Sequence, residues 1–303
     1  MKVFVTRTLP GKALDRLRER GLEVEVHRGL FLPKAELLKR VEGAVGLIPT
    51  VEDRIDAEVM DRAKGLKVIA CYSVGVDHVD LEAARERGIR ATHTPGVLTE
   101  ATADLTLALL LAVARRVVEG AAYARDGLWR AWHPELLLGL DLQGLTLGLV
   151  GMGRIGQAVA KRALAFGMRV VYHARTPKPL PYPLLSPEEL LKEADGGSLH
   201  TLLNRERLFA MKRGAILINT ARGALVDTEA LVEALRGHLF GAGLDVTDPE
   251  PLPQDHPLYR LPNAVSTPHI GSAGRTTRER MAEVAVENLL AVLEGREPPN
   301  PVV

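Results

Sequence analysis

Cysteine is nearly absent from this sequence: Cys71 is the only one among 303 residues. A single cysteine cannot form a disulfide within the chain, which excludes a disulfide-stabilised secreted fold. Long apolar runs are also missing, and the opening residues MKVFVTRTLPGK become polar too early for a signal peptide. We therefore expect a cytoplasmic protein with no membrane partner.

An excess of charge of either sign is absent as well. Lys and Arg number 39 against 38 Asp and Glu, so the formal net charge is +1. Such a chain has no overall basic field to attract nucleic acid, and we expect no nucleic-acid partner. Hydrophobic residues, in contrast, make up 46% of the chain, which is ample for the cores of two ordinary domains.

Short apolar runs alternate with helical patterns along most of the chain, which predicts an α/β fold with parallel sheets. A first series of strands occupies about the first hundred residues: KVFVT, LEVEV, AVGLIPT, LKVIACY and GIRATHT. A second series follows DLQG: LTLGLV, MRVVYH, GAILINT, FGAGLDV and NAVSTPH. Each series predicts one doubly wound parallel sheet.

Three helices stand out between and after these strands. One begins near Thr99, and its run LTLALLLAVARR is too apolar for a surface helix, so we expect it at a buried interface. The segment SPEELLKEA carries a capping-box pattern with Ser186 as the N-cap, and Asp227 is the expected cap of a later helix. The final helix is predicted from Arg275 to about Leu293.

The stretch LVGMGRIG carries three glycines directly after a predicted strand and at the start of a helix. This context is typical of a dinucleotide-binding turn, in which the helix N-terminus faces a pyrophosphate. The alternative is a strand–turn–helix corner without a ligand. The predicted phosphate-binding residues are Gly151, Met152, Gly153, Arg154, Ile155 and Gly156.

The end of the next strand indicates which dinucleotide is bound. An NAD site usually has an acid there, but residues 172–174 read Tyr-His-Ala, and Arg175, Thr176 and Lys178 follow. A guanidinium at this place suits a 2′-phosphate, so Arg175 and Thr176 favour NADP(H) over NAD(H). The alternative is that these charges belong only to a solvated loop.

Four polar residues follow predicted strands of the second series: Arg222, Asp245, Glu250 and His269. Singly, each has a structural explanation, such as a surface ion pair or the bracing of a proline-rich loop. In open α/β sheets, however, ligands bind beyond the carboxyl ends of the strands, so we expect these side chains to share one site.

Together these residues suit the reduction of a 2-keto acid. His269 would donate a proton to the carbonyl oxygen, and Glu250 would favour the protonated imidazole. Arg222 would hold the substrate carboxylate and polarise the carbonyl. Asp245 is expected either to bind the nicotinamide carboxamide or to support this network. No metal site is predicted.

The blocks LVGMGRIG, INTARGALVD, GLDVTDPEPLP and TPHIGSA together resemble the D-isomer-specific 2-hydroxyacid dehydrogenases. The resemblance covers nearly the whole chain. Within that family the chain is most similar to the glyoxylate/hydroxypyruvate reductases, on the stretches CYSVGVDHVD, TPGVLTEATADLTLALLLA and GLWRAWHP.

The resemblance implies a dinucleotide domain of the Rossmann type at residues 99–271, inserted into a flavodoxin-like substrate domain at residues 1–98 and 272–303. It implies that Val74 and Gly75 bind the substrate carboxylate through backbone N–H groups, and that Arg222, Glu250 and His269 are the catalytic set. The further cofactor contacts implied by the matching blocks are Thr220, Ala221, Asp245 and Gly271.

The resemblance also implies a homodimer in which Trp132 reaches the partner's substrate site. Trp129 is expected to be interface packing. Cys71 is predicted to be a small core residue and no nucleophile.

One segment departs from the family. Gly196 and Gly197 stand where relatives have β-branched residues, and paired glycines weaken a central strand. Only residues 201–203 separate that strand from an expected cap at Asn204, so a loop that lines the adenosine is shortened. This departure puts His200 and Thr201 in doubt as cofactor contacts.

Two other functions compete with a glyoxylate/hydroxypyruvate reductase. One is another D-2-hydroxyacid dehydrogenase, of the phosphoglycerate or D-lactate type, although these residues show no regulatory domain after the last helix. The other is a non-enzymatic, dinucleotide-sensing binding protein. The complete set of Arg222, Glu250 and His269 favours chemistry over sensing alone.

Overall fold

The computed structural model describes residues 1–198 and 203–303. The described strands are β1 (Lys2–Val5), β2 (Glu23–Val26), β3 (Ala44–Ile48), β4 (Val68–Ala70), β5 (Arg90–Thr92), β6 (Thr146–Val150), β7 (Arg169–His173), β8 (Gly196–Ser198), β9 (Ile216–Asn219), β10 (Gly241–Leu244) and β11 (Ala264–Ser266). The described α-helices are α1 (Asp15–Glu19), α2 (Lys34–Arg40), α3 (Ala57–Arg62), α4 (Leu81–Glu86), α5 (Thr99–Ala114), α6 (Val117–Arg125), α7 (Arg154–Ala165), α8 (Pro187–Glu193), α9 (Arg205–Ala210), α10 (Thr228–Leu235) and α11 (Arg275–Leu293).

The chain divides into two compact units. The first contains Met1–Leu98 and Ala273–Val303, and the second contains Thr99–Ser272. Each unit is built on its own parallel sheet with helices around it, which confirms the predicted α/β class. Among the residues that the structure describes, no helix has the length and apolar character needed to cross a membrane.

The first unit has a five-stranded parallel sheet in the order β2-β1-β3-β4-β5. This is the flavodoxin-like order. Strand residues alternate between its two faces: Val3 and Val5 pack in one cluster with Val286 and Leu289 of α11, whereas Phe4 belongs to the opposite cluster. The helix that follows the second unit in the chain is therefore part of the first unit's core.

The second unit has a six-stranded parallel sheet in the order β11-β10-β9-β8-β6-β7. A single parallel bridge between Tyr172 and Leu184 extends it beyond β7. If the residue at this bridge is counted as a very short strand beside β7, the sheet has the strand order of the Rossmann fold. In that fold the ligand binds in a crevice at the position where successive strands begin to be added on the opposite side of the first strand. Here that point lies between β6 and β8. The apolar helix α5 packs against β9, β10 and α7, and much of it is buried, as predicted.

The predicted helix caps are confirmed. Ser186 caps α8 in a full capping box, Asp227 caps α10 and Asn204 caps α9, each through a side-chain oxygen that accepts a backbone N–H. These caps follow from local sequence, because each one joins residues only three positions apart.

Strand β8 forms despite its paired glycines. Gly196 and Gly197 pair with β6 on one side and β9 on the other, so backbone hydrogen bonds on both edges hold the strand. Residues 199–202, which include His200 and Thr201, lie outside the described residues. Leu203 is buried and forms a bridge to Val226.

Candidate active site

The turn after β6 is a tight glycine turn of the kind predicted. Gly151 has a φ of 96°, in the left-handed region that favours glycine. A Cβ on Gly156 would lie 2.3 Å from the carbonyl oxygen of Gly151, so no side chain fits there. The turn and the first turn of α7 therefore pack backbone against backbone.

The N-terminus of α7 has no side-chain cap. Its N-cap is Gly153, so the first N–H groups of this 12-residue helix are left for a ligand. A Cβ added to Gly153 would meet no atom of the described residues within 4 Å. These features fit a dinucleotide pyrophosphate at the helix N-terminus.

The residues between the glycines differ in what they expose. The side chain of Met152 is buried in the core, so only its backbone faces the turn. Arg154 is exposed and Ile155 is half-buried at the start of α7. Apart from the exposed side chain of Arg154, the six predicted phosphate-binding residues thus offer mainly backbone groups.

The end of β7 carries no acidic side chain. His173 uses its Nδ1 to bond the carbonyl oxygen of Leu185 at 2.9 Å. Arg175 and Thr176 are exposed just beyond the strand, and Arg175 forms no ion pair with any residue that the structure describes. The guanidinium is therefore available to an anionic group at this edge.

His269 and Glu250 form a hydrogen-bonded pair beyond the ends of β11 and β10. The distance from Nδ1 of His269 to Oε1 of Glu250 is 2.6 Å, and both side chains are about one-third exposed. The hydrogen bond from Glu250 raises the pKa of His269 above its ordinary value, and the negative charges of Glu250 and Asp245 add to this effect. Burial and the positive charge of Arg222 act in the opposite direction. The protonated imidazole is thus favoured, and the contact with Glu250 uses Nδ1 rather than Nε2.

The backbone of His269 is held in an unusual conformation. Its φ is 51°, which few non-glycine residues adopt. Its N–H donates to the carbonyl oxygen of Asp245 at 3.0 Å, and the N–H groups of Ile270 and Gly271 donate to the Asp245 carboxylate at 2.7 Å each. Thr267 donates its hydroxyl to the same carboxylate at 2.6 Å.

The carboxylate of Asp245 therefore holds the loop of residues 267–271, which carries His269, through hydrogen bonds. Asp245 is 2% exposed, and its two oxygens accept three hydrogen bonds from the residues around His269. Of the two roles expected from the sequence, these contacts belong to support of the network. A contact with the nicotinamide carboxamide stays a prediction, as do the cofactor contacts of Ala221 and Gly271.

Arg222 lies directly after β9 on a turn that Asn219 organises. The buried amide of Asn219 donates to the carbonyl oxygen of Arg222 at 2.8 Å and accepts from the N–H of Ala221 at 3.1 Å. The Arg222 side chain is exposed, and its charge lies close enough to lower the pKa of His269. The structure thus brings the arginine, glutamate and histidine of the predicted catalytic set together in the second unit.

A close backbone contact joins the loops that carry Arg222 and Glu250. A Cβ on Gly223 would lie 1.8 Å from the carbonyl oxygen of Thr247. Only glycine permits this approach, which brings the loop after β9 against the loop after β10.

Thr220 is oriented by the long helix α5. Thr106 donates its hydroxyl proton to the carbonyl oxygen of Thr102 at 2.8 Å, and its Oγ1 lies 2.9 Å from that of Thr220. Because a hydroxyl has one proton, Thr220 is the donor between the two. The Thr220 hydroxyl then offers a ligand only acceptor lone pairs.

The predicted carboxylate-binding residues Val74 and Gly75 belong to the first unit, in the loop after β4. Neither backbone N–H donates to an acceptor within the described part of the chain. Cys71, just before this loop, is buried, and burial raises the pKa of its thiol to about 12. Cys71 is thus a core residue, as predicted.

Sequence reasoning did not single out Asn219, Thr267, Thr106 or Gly223. Asn219 had a visible signal, since a buried asparagine at a strand end needs partners for its amide. The others had none, because the site residues that they contact, Thr220, Asp245 and Thr247, lie more than 20 positions away in the chain.

Comparisons with known proteins identify the family of the chain. Residues 107–271 match the family described as D-isomer specific 2-hydroxyacid dehydrogenase, NAD binding domain. A glyoxylate reductase of Thermococcus litoralis is 48% identical over 318 residues, covering 99% of this chain and 96% of that protein.

Two solved structures show the same fold. A protein of Thermus thermophilus is 93% identical, with a TM-score of 0.97 and full coverage of both chains. An NADPH-dependent glyoxylate/hydroxypyruvate reductase of Sinorhizobium meliloti, solved with citrate, is 33% identical, with a TM-score of 0.86 and coverage of 100% and 97%. The chain belongs to the D-isomer-specific 2-hydroxyacid dehydrogenase family and is an NAD(P)-dependent oxidoreductase.

Proposed function

We propose that this protein reduces glyoxylate and hydroxypyruvate to the corresponding 2-hydroxy acids, with NADPH as the preferred cofactor. The observation that carries the proposal is the 2.6 Å bond between His269 and Glu250 beside the Arg222 loop. The glyoxylate reductase of Thermococcus litoralis, at 48% identity, supports the choice of substrate.

The mechanism assigns a proton to His269. Glu250 holds Nδ1, so Nε2 carries the proton that moves to the carbonyl oxygen of the substrate. When bound, the reduced nicotinamide supplies the hydride that reaches the carbonyl carbon. The products are the 2-hydroxy acid and the oxidised cofactor, and His269 regains a proton from solvent.

Arg222 orients the substrate for this proton transfer. Its guanidinium binds the substrate carboxylate and stabilises the charge that grows on the carbonyl oxygen. We also propose that Val74 and Gly75, in the loop after β4, bind the carboxylate of a 2-keto acid through backbone N–H groups. A small 2-keto acid therefore suits the site better than a phosphorylated one, since these groups account for a single carboxylate.

NADP(H) is preferred because the end of β7 lacks an acid and presents Arg175 and Thr176 instead. A carboxylate there would repel a 2′-phosphate, whereas a free guanidinium binds it. The NADPH-dependent reductase of Sinorhizobium meliloti, at 33% identity, supports this preference.

We also propose a homodimer in which Trp132 of each copy reaches the substrate site of its partner. Trp132 is 81% exposed and Trp129 is 66% exposed in the single chain. Exposed aromatic residues of this size are typical of an interface. The cytoplasmic location stays a prediction.

The experiment that tests the proposed function follows the oxidation of NADPH and NADH with glyoxylate, hydroxypyruvate and pyruvate. We expect turnover that is fastest with NADPH and either of the first two acids. A stronger rate with pyruvate would indicate a D-lactate enzyme, and dinucleotide binding with no turnover would indicate a sensing protein.

The matched inactive variant is His269→Gln, which keeps a polar side chain but cannot donate a proton from an imidazolium. We expect a rate loss of about 10²–10⁴-fold. A near-native rate would remove His269 from the proposed mechanism.

A further inference from the structure

The loop Ser73–Val76 of the first unit has three successive peptide groups whose carbonyl oxygens are all occupied. The oxygen of Ser73 accepts from the N–H of Thr94 at 2.8 Å, and that of Val74 accepts from Nδ1 of His93 at 2.9 Å. The oxygen of Gly75 accepts from the hydroxyl of Ser73 at 2.6 Å.

These bonds determine where the N–H groups of the loop point. In a trans peptide the C=O and the following N–H lie in one plane and point in opposite directions. Fixing the three carbonyls therefore aims the N–H groups of Val74, Gly75 and Val76 away from their carbonyl partners. None of these N–H groups has an acceptor among residues 1–198 and 203–303. Adjacent free N–H groups of this kind are suited to an anion.

His93 is the only side chain from outside the loop that appears in this set of bonds. Its backbone is held on both sides, since Asn288 of α11 donates to its carbonyl oxygen at 2.9 Å and its N–H donates to the carbonyl oxygen of Asn300 at 3.2 Å. The N–H of Asn300 in turn donates to the side-chain oxygen of Asn288 at 3.1 Å. Asn288 is fully buried, so these hydrogen bonds fix the backbone from which the His93 side chain extends.

We propose that His93 is a positioning residue for substrate binding. Its Nδ1–H holds the carbonyl of Val74, and the shared peptide plane then directs the N–H of Gly75 toward the carboxylate of the 2-keto acid. The inference rests on the proposed function, in which this loop receives the substrate carboxylate.

Two variants of His93 distinguish the effect of its hydrogen bond from the effect of its side-chain size. His93→Leu removes the donor, whereas His93→Asn keeps an N–H close to the place of Nδ1, because both side chains branch at Cγ. We expect His93→Leu to raise the KM for glyoxylate about tenfold, as when one hydrogen bond to a charged group is lost. The KM for NADPH should stay unchanged, kcat should change little, and His93→Asn should restore most of the glyoxylate KM.

The matched control is Thr92→Val. Thr92 is fully buried one position before His93, and its hydroxyl has no hydrogen-bond partner among the described residues. We expect wild-type kinetics from this variant. An unchanged glyoxylate KM in His93→Leu would overturn the inference, and so would equal increases in the KM for glyoxylate and for NADPH.

A second measurement separates this inference from the proposed function. If the wild-type protein reduced no 2-keto acid, the proposed function would fail while the loop itself remained measurable by ¹⁵N relaxation. His93→Leu should lower the backbone order parameter of Gly75, and His93→Asn should not. An unchanged order parameter in His93→Leu would show that His93 does not position the loop.

Discussion

At the scale of single residues, His269 is constrained through both its side chain and its backbone. Glu250 holds the ring nitrogen, and the Asp245 carboxylate holds the turn on which the residue lies. A non-glycine residue at positive φ costs about 1–3 kcal/mol, and such a conformation persists only where its surroundings impose it. Here the three bonds to Asp245 impose it.

Glu250→Gln should shift the pH dependence of the reaction. In the proposed mechanism reduction needs protonated His269, so we expect kcat/KM to be full at low pH and to fall as pH rises through the raised pKa of this residue. Because Glu250 is the main cause of that raised pKa, its neutral replacement lowers the pKa, and the falling limb moves to lower pH. A pH profile of kcat/KM for glyoxylate measures the shift.

The control for this profile is Glu229→Gln. Glu229 lies 3.2 Å from His256, so this variant removes a carboxylate from a similar pair outside the proposed site. Its profile should match the wild type. If Glu250→Gln left the limb in place, His269 would not be the titrating acid.

Arg175→Ala should weaken NADPH binding and spare NADH. Arg175 is exposed and is available to a 2′-phosphate, which NADH lacks. The ratio of kcat/KM for NADPH over NADH should fall about ten- to a hundredfold, since a hydrogen-bonded charge pair is lost. Arg260→Ala, which removes another exposed arginine of the same unit, should leave the ratio unchanged. A constant ratio in Arg175→Ala would assign the preference to other residues.

At the scale of elements, the site depends on how closely the loops after β9 and β10 approach. Gly223 begins a short 3-10 helix, Gly223–Leu225, and its backbone lies against Thr247. The loop that carries Arg222 therefore packs directly against the loop that leads to Glu250.

Gly223→Ala should separate these two loops. Its Cβ would lie 1.8 Å and 2.0 Å from the carbonyl oxygen and carbon of Thr247, which are backbone atoms and cannot swing aside. We expect a loss of about 1–3 kcal/mol in the free energy of unfolding, with a fall in kcat/KM for glyoxylate. Thermal unfolding and steady-state kinetics measure the two effects.

Gly237→Ala is the matched control, because its added Cβ would meet no described atom within 4 Å. It should retain wild-type kinetics. Equal activity in Gly223→Ala and Gly237→Ala would show that the contact with Thr247 is not required.

The elements themselves were largely predictable from the sequence. The caps at Ser186 and Asp227 depend on residues three positions away, and the turn at Gly151 depends on the residues around it. The bridge at Leu184 was not predicted, because one bridged residue leaves no alternating pattern. Strand β8 has a weak pattern of its own and is held by its two neighbours.

At the scale of the whole molecule, the segment after α6 exposes four large hydrophobic side chains. Leu128, Trp129, Trp132 and Leu138 are between 53% and 81% exposed. Exposed apolar side chains grouped in this way favour burial against another chain. The proposed homodimer would cover them with a second copy.

Mixed dimers test whether Trp132 acts in the partner's site. Trp132→Ala alone should impair activity, and His269→Gln alone should abolish most of it. A dimer of one chain of each kind would hold one intact site, made from the His269 of the first chain and the Trp132 of the second. Random mixing should therefore restore about one quarter of wild-type activity, if the dimer is a symmetric pair.

The control is a mixture of the single variants Trp129→Ala and His269→Gln, because Trp129 is proposed only as interface packing. Sedimentation of each variant reports whether it still assembles. Mixing that restored no activity, with dimers present, would show that Trp132 serves its own chain or none.

The sequence by itself determined the α/β class, the glycine turn, the helix caps and the polar residues at the strand ends. These features depend on residue types within a few positions of one another, so a linear pattern carries them. Only the tertiary structure decided that Asn288 holds His93 across 195 positions and that Gly223 lies against Thr247. Contacts of that kind arise from the packing of distant segments, which places no periodic or local mark on the residues involved.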